Sequence, residues 1–314
     1  MAFYTVEPER RTLHGHFSRD LSPILTIDPG DTVRFRTLDA GWGLEGPLAD
    51  GGERQKFEPR TEDDDGHALC GPIAIRGAKP GMTLSIHIND LRVGTYGWTG
   101  AGGWSTPLND RLKVSDLPRF GLNWTLDADS MTGVDQYGHI ISLRPFMGVM
   151  GMPLDIPDKQ PTPPPRMTGG NMDCKELVVG STLYLPIAVE GGLFSVGDGH
   201  GAQGDGEVSS MAIECPMDVC ELTFDLLPDV HVTSPRANTP VGWLTFAFHE
   251  DLDEAIGIAL EAMFDLMNEQ YGFERQMALA LASVVVDVRI TQLVNAGVRG
   301  VHALLPNRAV RQQA

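Results

Sequence analysis

Between Ser195 and Ser210 the chain reads SVGDGHGAQGDGEVSS, and four side chains able to hold a metal or carry a proton, Asp198, His200, Asp205 and Glu207, stand among Gly197, Gly199, Gly201, Gly204 and Gly206. Glycine is entropically costly to order and packs nothing, so this density implies tight turns or a close approach of the backbone to something bound. The polar groups would then line the place of binding. Gly, Asp and His are also ordinary loop residues, and a solvated loop is the competing reading. Just upstream, Asn171, Asp173, Cys174, Lys175 and Glu176 belong to the same strand-and-loop unit. Imidazole with carboxylate suits zinc, whereas carboxylate with carbonyl oxygen suits calcium, so the residue types admit both. The spacing is not that of an EF-hand, because Gln203 stands where the sixth-position Gly belongs and Ser209 where the final Glu belongs. Nor is it the HExxH pattern of zinc proteases.

Those residues need a scaffold, and 314 residues with 42% hydrophobic and 21% charged composition describe a globular chain with room for an ample core. The net charge of -18 repels phosphate backbones and anionic lipid, so nucleic acid and membrane surfaces are disfavoured as partners and a neutral small molecule or a cation is favoured. The N-terminus MAFYTVEPERRTLHGHF has no apolar signal region and no long apolar run follows, which gives the expectation of a cytoplasmic protein. Cys70, Cys174, Cys215 and Cys220 are too sparse for a disulfide framework and read as free thiols.

A turn-then-strand unit recurs: Pro29-Gly30 before Thr32, Pro80-Gly81 before Thr83, and more loosely Gly180 before Thr182. Recurrence of this kind predicts β-hairpin architecture in a sandwich or jelly roll. Period-two alternation puts Leu84, Ile86 and Ile88 on one face together with Asp90, and Val33 and Phe35 on one face with Asp39. The acidic segment Glu58 to Gly66 reads as a solvated loop, and the proline-rich Pro153 to Arg166 as an extended connector. From Asp251 to Tyr271 apolar residues return at helical spacing, with Asp at the start and Gly272 at the C-cap position. A shorter helix is expected over Phe273 to Ala282, then a strand over SVVVDVRITQLV. The fold class is therefore mainly β, a jelly-roll-like β-sandwich or barrel with an α+β C-terminal part. Its expected parts are residues 1–150, residues 151–245 with the Gly-rich loop, and residues 246–314.

The run GNMDCKEL, then GSTLYLP, then GGLFSVGDGHGAQGDGEV resembles the core signature of the acetamidase/formamidase family. GHALCGPIAIRGAKPGMTLSIHINDL, RPFMGVMGMP and SVVVDVRITQLVNAGVRGVHALLP are similar to that family as well, and together these stretches cover most of the chain. The resemblance implies a metal-assisted hydrolase of short aliphatic amides on a jelly-roll-like sandwich, assembled as a homo-oligomer, dimer or higher. Gly201, the Asn89-Asp90-Leu91 strand end and the acidic Glu58 to Asp65 segment depart from the pattern, which leaves the particular amide, or a guanidine-like substrate, open.

Amide hydrolysis needs a nucleophile, an electrophile for the carbonyl oxygen and a proton donor for departing ammonia. A divalent metal, zinc first and calcium second, supplies the first two. The expected ligands are Asp173, Asp198 and His200, with His67 as a further candidate. Glu207 or Asp205 would serve as general base and then return the proton to nitrogen, Asn171 would hydrogen-bond the amide, and Phe146, Met147 and Met150 would wall a small pocket. Asp173 and Asp205 are also residues that shape turns, and lone histidines such as His87 and His139 read as structural. Two rivals remain at this level. Cys174 could act as a nucleophile, although its immediate neighbours in an extended segment point to opposite faces. The chain could also be a β-sandwich binding module in which the loop holds a structural metal without turnover.

Overall fold

The computed structural model describes residues 1–47 and 54–311. Two large sheets dominate. The nine-stranded sheet runs in the order Phe3–Val6, Thr32–Phe35, Met217–Leu227, Thr83–Val93, Thr182–Pro186, Arg236–Asn238, Gly242–His249, Val298–Pro306 and Asp287–Asn295. The eleven-stranded sheet has Phe194–His200 at its centre, paired with Phe146–Gly151, Glu214–Cys215 and Leu69–Ile75. Leu84, Ile86, Ile88 and Phe224 of the first sheet share one apolar core with Cys70, Ile73, Phe194 and Val196 of the second. Phe194 and Phe224 meet edge to face across it, with centroids 5.0 Å apart. This is the mainly β sandwich expected, with few helices.

The three repeated turns are the same device. Gly30, Gly81 and Gly180 sit at φ 88°, 87° and 86°, left-handed values that glycine adopts without steric cost. Each launches a strand of the nine-stranded sheet. Alternation then buries Leu84, Ile86 and Ile88 completely. Asp90 does not follow them. The pairing with Met217–Leu227 slips between Glu221 and Leu222, so a bulge at Asn89 resets the alternation, exposing Asp90 and burying Leu91 in its place. Asp39, by contrast, is buried as its parity predicts, and Arg54 clasps its carboxylate through both terminal nitrogens.

Helix Leu252–Tyr271 begins at Asp251, whose carboxylate accepts from the backbone N–H groups of Asp253 and Glu254, and ends at Gly272 with φ 69°. Its buried face of Ala255, Ala259, Met263, Leu266 and Met267 packs on Ala247, Val301, Ala303 and Leu305 of the sheet. The helix that follows runs from Arg275 to Val285, past the expected end at Ala282, so the strand begins only at Asp287. The β-branched run Val284-Val285-Val286 favours a strand, but the packing of Ala278 and Ala282 against the sheet carries the helix through Val285. No helix among the described residues is long and apolar enough to cross a membrane.

The two irregular segments are tied down rather than merely solvated. Asp64 in the acidic segment is buried and ion-paired with Arg10 at 2.8 Å, and Asp63 pairs with Lys159. In the proline-rich connector, Gln160–Pro161 pairs with His16–Phe17 and the buried Arg166 stacks over Phe17 at 4.5 Å.

Candidate functional site

Every residue of strand Phe194–His200 is buried, and the strand carries both Asp198 and His200. Its glycines allow close strand approach: a Cβ on Gly199 would stand 2.7 Å from the carbonyl oxygen of Cys215. Opposite Asp198, between the register pairs Met147↔Gly199 and Val149↔Gly197, lies Gly148. A Cβ there would meet Asp198 Oδ2 at 2.5 Å, Asp173 Oδ1 at 2.6 Å and His200 Cε1 at 2.8 Å. Gly148 is thus the floor of a cradle, and the missing side chain is the space in which these groups converge.

The convergence is dense. His200 Nε2 lies 3.3 Å from Asp198 Oδ1 and 3.3 Å from Glu214 Oε2, while its Nδ1 lies 3.9 Å from Asp173 Oδ1. Two overlapping groups, Asp173 with Asp198 and His200, and His200 with Glu207 and Glu214, each bring one ligand atom per residue within 4.8 Å of the others. Asp173, Asp198 and Glu207 have φ of 48°, 58° and 46°, conformations that non-glycine residues adopt at a cost of about 1–3 kcal/mol each. The surroundings hold them there. Asn295 donates its side-chain N–H to Asp173 Oδ2, Gln203 Nε2 donates to the Asp173 carbonyl at 2.7 Å, and Gly206 exchanges backbone hydrogen bonds with Thr291 and Leu293.

Several buried polar atoms here lack any hydrogen-bond partner: Asn171 Oδ1, Asp173 Oδ1, Asp198 Oδ1, His200 Nδ1, Gln203 Oε1, Glu207 Oε2 and Glu214 Oε2. Leaving one such group unsatisfied costs about 1–3 kcal/mol, more for a charge. Nearly all are acceptors, and acceptors crowded together call for a cation. The carboxylate-and-imidazole set therefore fits a divalent metal, and Asp173, Asp198, His200, Glu207 and Glu214 are the residues whose atoms are placed to hold one.

The protonation pattern follows from the same crowding. Burial lifts Asp173 to about 6, with Asp198 adding to the rise and His200 opposing it. Burial lifts Glu214 to about 7, again against the pull of His200. Glu207 is driven well above the usual carboxylate range by burial and by the charge of Asp173. Burial would raise Asp198 too, but the charges of His200 and then His67 hold it well below that range. On His200 burial opposes the proton, yet Glu214 and Asp198 together raise the imidazole well above 6.5. Without a metal, a proton on His200 is thus the main positive charge among four carboxyl groups.

Of the residues singled out from sequence, Asp173, Asp198, His200 and Glu207 are brought together. Phe146 stands against the His200 ring, edge to face at 5.0 Å, and Asn171 is buried nearby with its amide nitrogen on Pro163 O. His67 is in neither ligand group; its ring nitrogen lies 2.7 Å from Thr162 Oγ1, close enough for its charge to act on Asp198 and Asp173. Asp205 is in neither ligand group; it pairs with Lys175 at 2.9 Å, is the more exposed of the two Gly-rich-loop acids, and lines a cavity beside Glu207. Met147, paired with Gly199, takes the sheet face opposite Phe146, and both Met147 and Met150 are fully buried in the main core. Glu214 was missed by sequence reasoning because it comes from a separate strand; it is the register partner of His200. Gly148 and Asn295 were missed as well, and only pairing across the sheets brings them to the site.

A cavity of about 210 Å³ lies against the cluster, lined by Ala202, Gln203, Glu207, Val208, Met211 and Ile213 among others. A larger cleft of about 510 Å³, bordered by Arg36, Tyr96 and Asp218, contains none of the clustered groups. Only the smaller one is lined by a residue of the cluster, Glu207.

Fold and site together define a β-sandwich protein with a buried acid-and-histidine centre suited to a metal. The sequence model of the Acetamidase/Formamidase family matches residues 4–153 and 157–310, and the chain belongs to that family. It is 26% identical to the formamidase of Methylophilus methylotrophus over 248 residues, which cover 63% of this chain and 60% of that protein. Among solved structures it is similar to a predicted acetamidase/formamidase from Thermoanaerobacter tengcongensis, with a TM-score of 0.83 at 23% identity over 98% of this chain and 97% of that one. An acetamidase from Yersinia enterocolitica superposes with a TM-score of 0.81 at 26% identity over 99% and 93% of the two chains.

Proposed function

We propose that this protein is a metal-dependent amidohydrolase that converts a short aliphatic amide of the formamide or acetamide type, with water, into a carboxylate and ammonia. The observation that carries this reading is the set of buried, unpartnered acceptors around His200 that borders a small cavity through Glu207. Family membership supports the reaction class. Asp173, Asp198 and His200 would hold the ion, with Glu214 beside them 3.3 Å from His200 Nε2, zinc in preference to calcium because an imidazole is among the donors. When bound, such an ion supplies Lewis-acid polarisation of a carbonyl and acidifies water.

The remaining work falls to the chain's own groups. Glu207 lies both in the cluster and in the cavity wall, so it is placed to take a proton from attacking water at its carboxylate and pass it to the departing nitrogen. Burial raises its proton affinity, which suits a group that must hold a proton part of the time. Ala202, Val208, Met211 and Ile213 give the cavity an apolar side for a small acyl group. A thiol mechanism is disfavoured: Cys174 is fully buried, and burial pushes its thiol up to about 12. Homo-oligomer formation is part of the proposal, supported by the exposed Met277, Leu279, Val284 and Val288 of the last helix and edge strand. Ammonia release from formamide, acetamide and propionamide by purified protein, before and after chelation, tests the reading.

A further inference from the structure

Gln292 is a fully buried polar side chain that belongs neither to the ligand groups nor to the cavity wall. It sits on Asp287–Asn295, the outermost strand of the nine-stranded sheet. Pairing with Val298–Pro306 slips twice around it: Ile290 faces Val301, Gln292 faces Gly300 and Asn295 faces Val298, so an extra residue is accommodated on each side. The side-chain amide occupies this irregularity. Its Oε1 accepts the backbone N–H groups of Val294 at 2.8 Å and Asn295 at 3.0 Å, which leaves Nε2 to donate to the Val298 carbonyl at 3.1 Å. Gly300 makes room for it, since a Cβ there would stand 3.3 Å from Gln292 Cγ and Nε2. Ala296 and Gly297, both left-handed at φ 51° and 82°, close the hairpin as a two-residue turn.

Two contacts lead from this distorted stretch to the metal centre. Asn295, whose backbone N–H is held by Gln292, donates its side-chain amide to Asp173 Oδ2. The other contact is made by backbone: the Gly206 N–H donates to the Thr291 carbonyl at 3.0 Å and the Leu293 N–H donates to the Gly206 carbonyl at 3.1 Å, a bridge centred on Gln292 that fixes the residue before Glu207. We infer that Gln292 is a positioning residue: its amide sets the bulged hairpin end from which Asn295 orients Asp173 and the backbone on either side of Gln292 holds the Gly206-Glu207 turn. Asp173 and Glu207 both have positive φ, a conformation that persists only where the surroundings over-determine it. They come from separate segments of the chain, and one side chain steadies both. Losing an outer support of this kind lowers metal affinity or activity by about ten- to a hundredfold.

The test compares wild type with Gln292→Met, which keeps the length and loses the amide, and with Gln292→Glu, which keeps the acceptor for Val294 and Asn295. Thr245→Val, which removes a buried hydrogen bond to the Ala259 carbonyl outside the centre, controls for general loss of stability. Zinc affinity and melting temperature are measured for each, with hydrogen exchange at the Gly206 and Leu293 amides in chelated protein and kcat and KM on acetamide in zinc-loaded protein. Gln292→Met should weaken zinc binding and lower kcat, each by about ten- to a hundredfold, with KM within a few-fold and faster exchange at both amides. Gln292→Glu should recover part of each loss, and Thr245→Val should show none of them at a comparable melting temperature. In Gln292→Met/Asn295→Leu zinc affinity should fall by less than the product of the single effects, because both act through one carboxylate. Wild-type zinc affinity and exchange in Gln292→Met would overturn the inference, as would independent effects in the double variant or equal changes in Thr245→Val. The kinetic readout rests on the amidohydrolase reading, whereas zinc affinity and exchange do not; a wild type that turned over no amide would remove that reading and leave those two to decide this one.

Discussion

A Cβ placed on Gly148 would lie 2.5 Å from Oδ2 of Asp198, two residues that face each other across neighbouring strands. Gly148 is not in the left-handed region, so alanine there carries no backbone strain and acts through its contacts with Asp198, Asp173 and His200. Gly148→Ala should still fold, with its melting temperature lowered even in chelator, because overpacking a buried site costs about 1–3 kcal/mol. It should lose bound metal and at least about a hundredfold in turnover, since displacing reacting groups by an ångström is enough for that. Metal analysis beside kcat checks it; full metal occupancy in the variant would show that the cradle is not the metal site.

The two acids of the Gly-rich loop should separate cleanly. Glu207→Gln should keep the fold and most of the metal and lose most turnover, by about a hundredfold or more if its proton transfer is in the rate-limiting step. Asp205→Asn should lose no more than a few-fold, because its partner Lys175 is partly solvated and such pairs contribute little. His200→Ala and Glu214→Gln should both lose the metal. Equal damage from the Asp205 and Glu207 substitutions would remove Glu207 from its proposed role.

Thiol and metal mechanisms predict opposite inhibitor patterns. Chelation should abolish activity and added zinc restore it, whereas iodoacetamide should leave the native enzyme untouched, since Cys70, Cys174, Cys215 and Cys220 are all buried. Inactivation by iodoacetamide that substrate prevents would point back to Cys174.

A buried histidine outside the metal centre makes the fold sensitive to acid. His14 is buried with Nε2 2.9 Å from Ser195 Oγ, and burial lowers its pKa from 6.5 to about 4. It is therefore neutral when folded and gains a proton when unfolded below pH 6.5. The stability this contributes is complete above about pH 6.5 and is lost as pH falls toward 4, by up to about 3 kcal/mol. Denaturant titrations from pH 7 to 5 should show the loss, and His14→Gln should flatten the slope. An unchanged slope would mean that other groups carry it.

Much of this was legible beforehand, and what was missed has a common cause. Gly30, Gly81 and Gly180 announced their turns because a left-handed residue before a strand leaves a local mark. Helix Leu252–Tyr271 was readable from spacing and caps. Asp173, Asp198, His200 and Glu207 stood out as acids and imidazole among glycines, while Glu214, Gly148 and Asn295 did not, because register between distant strands decides their place. Asp90 shows the limit within a single strand, where one bulge reverses the parity that alternation predicts.

The central claim is that the buried centre around His200 holds a metal and uses it to hydrolyse a short amide. The most direct measurement is ammonia release from formamide, acetamide and propionamide by the purified protein, with metal content recorded before chelation, after it, and after zinc or calcium is restored. The account predicts turnover of at least one of these amides that disappears with the metal and returns with it. Tightly bound metal whose removal lowers the melting temperature, with no amide turned over in any state, would contradict it and leave a binding module with a structural ion.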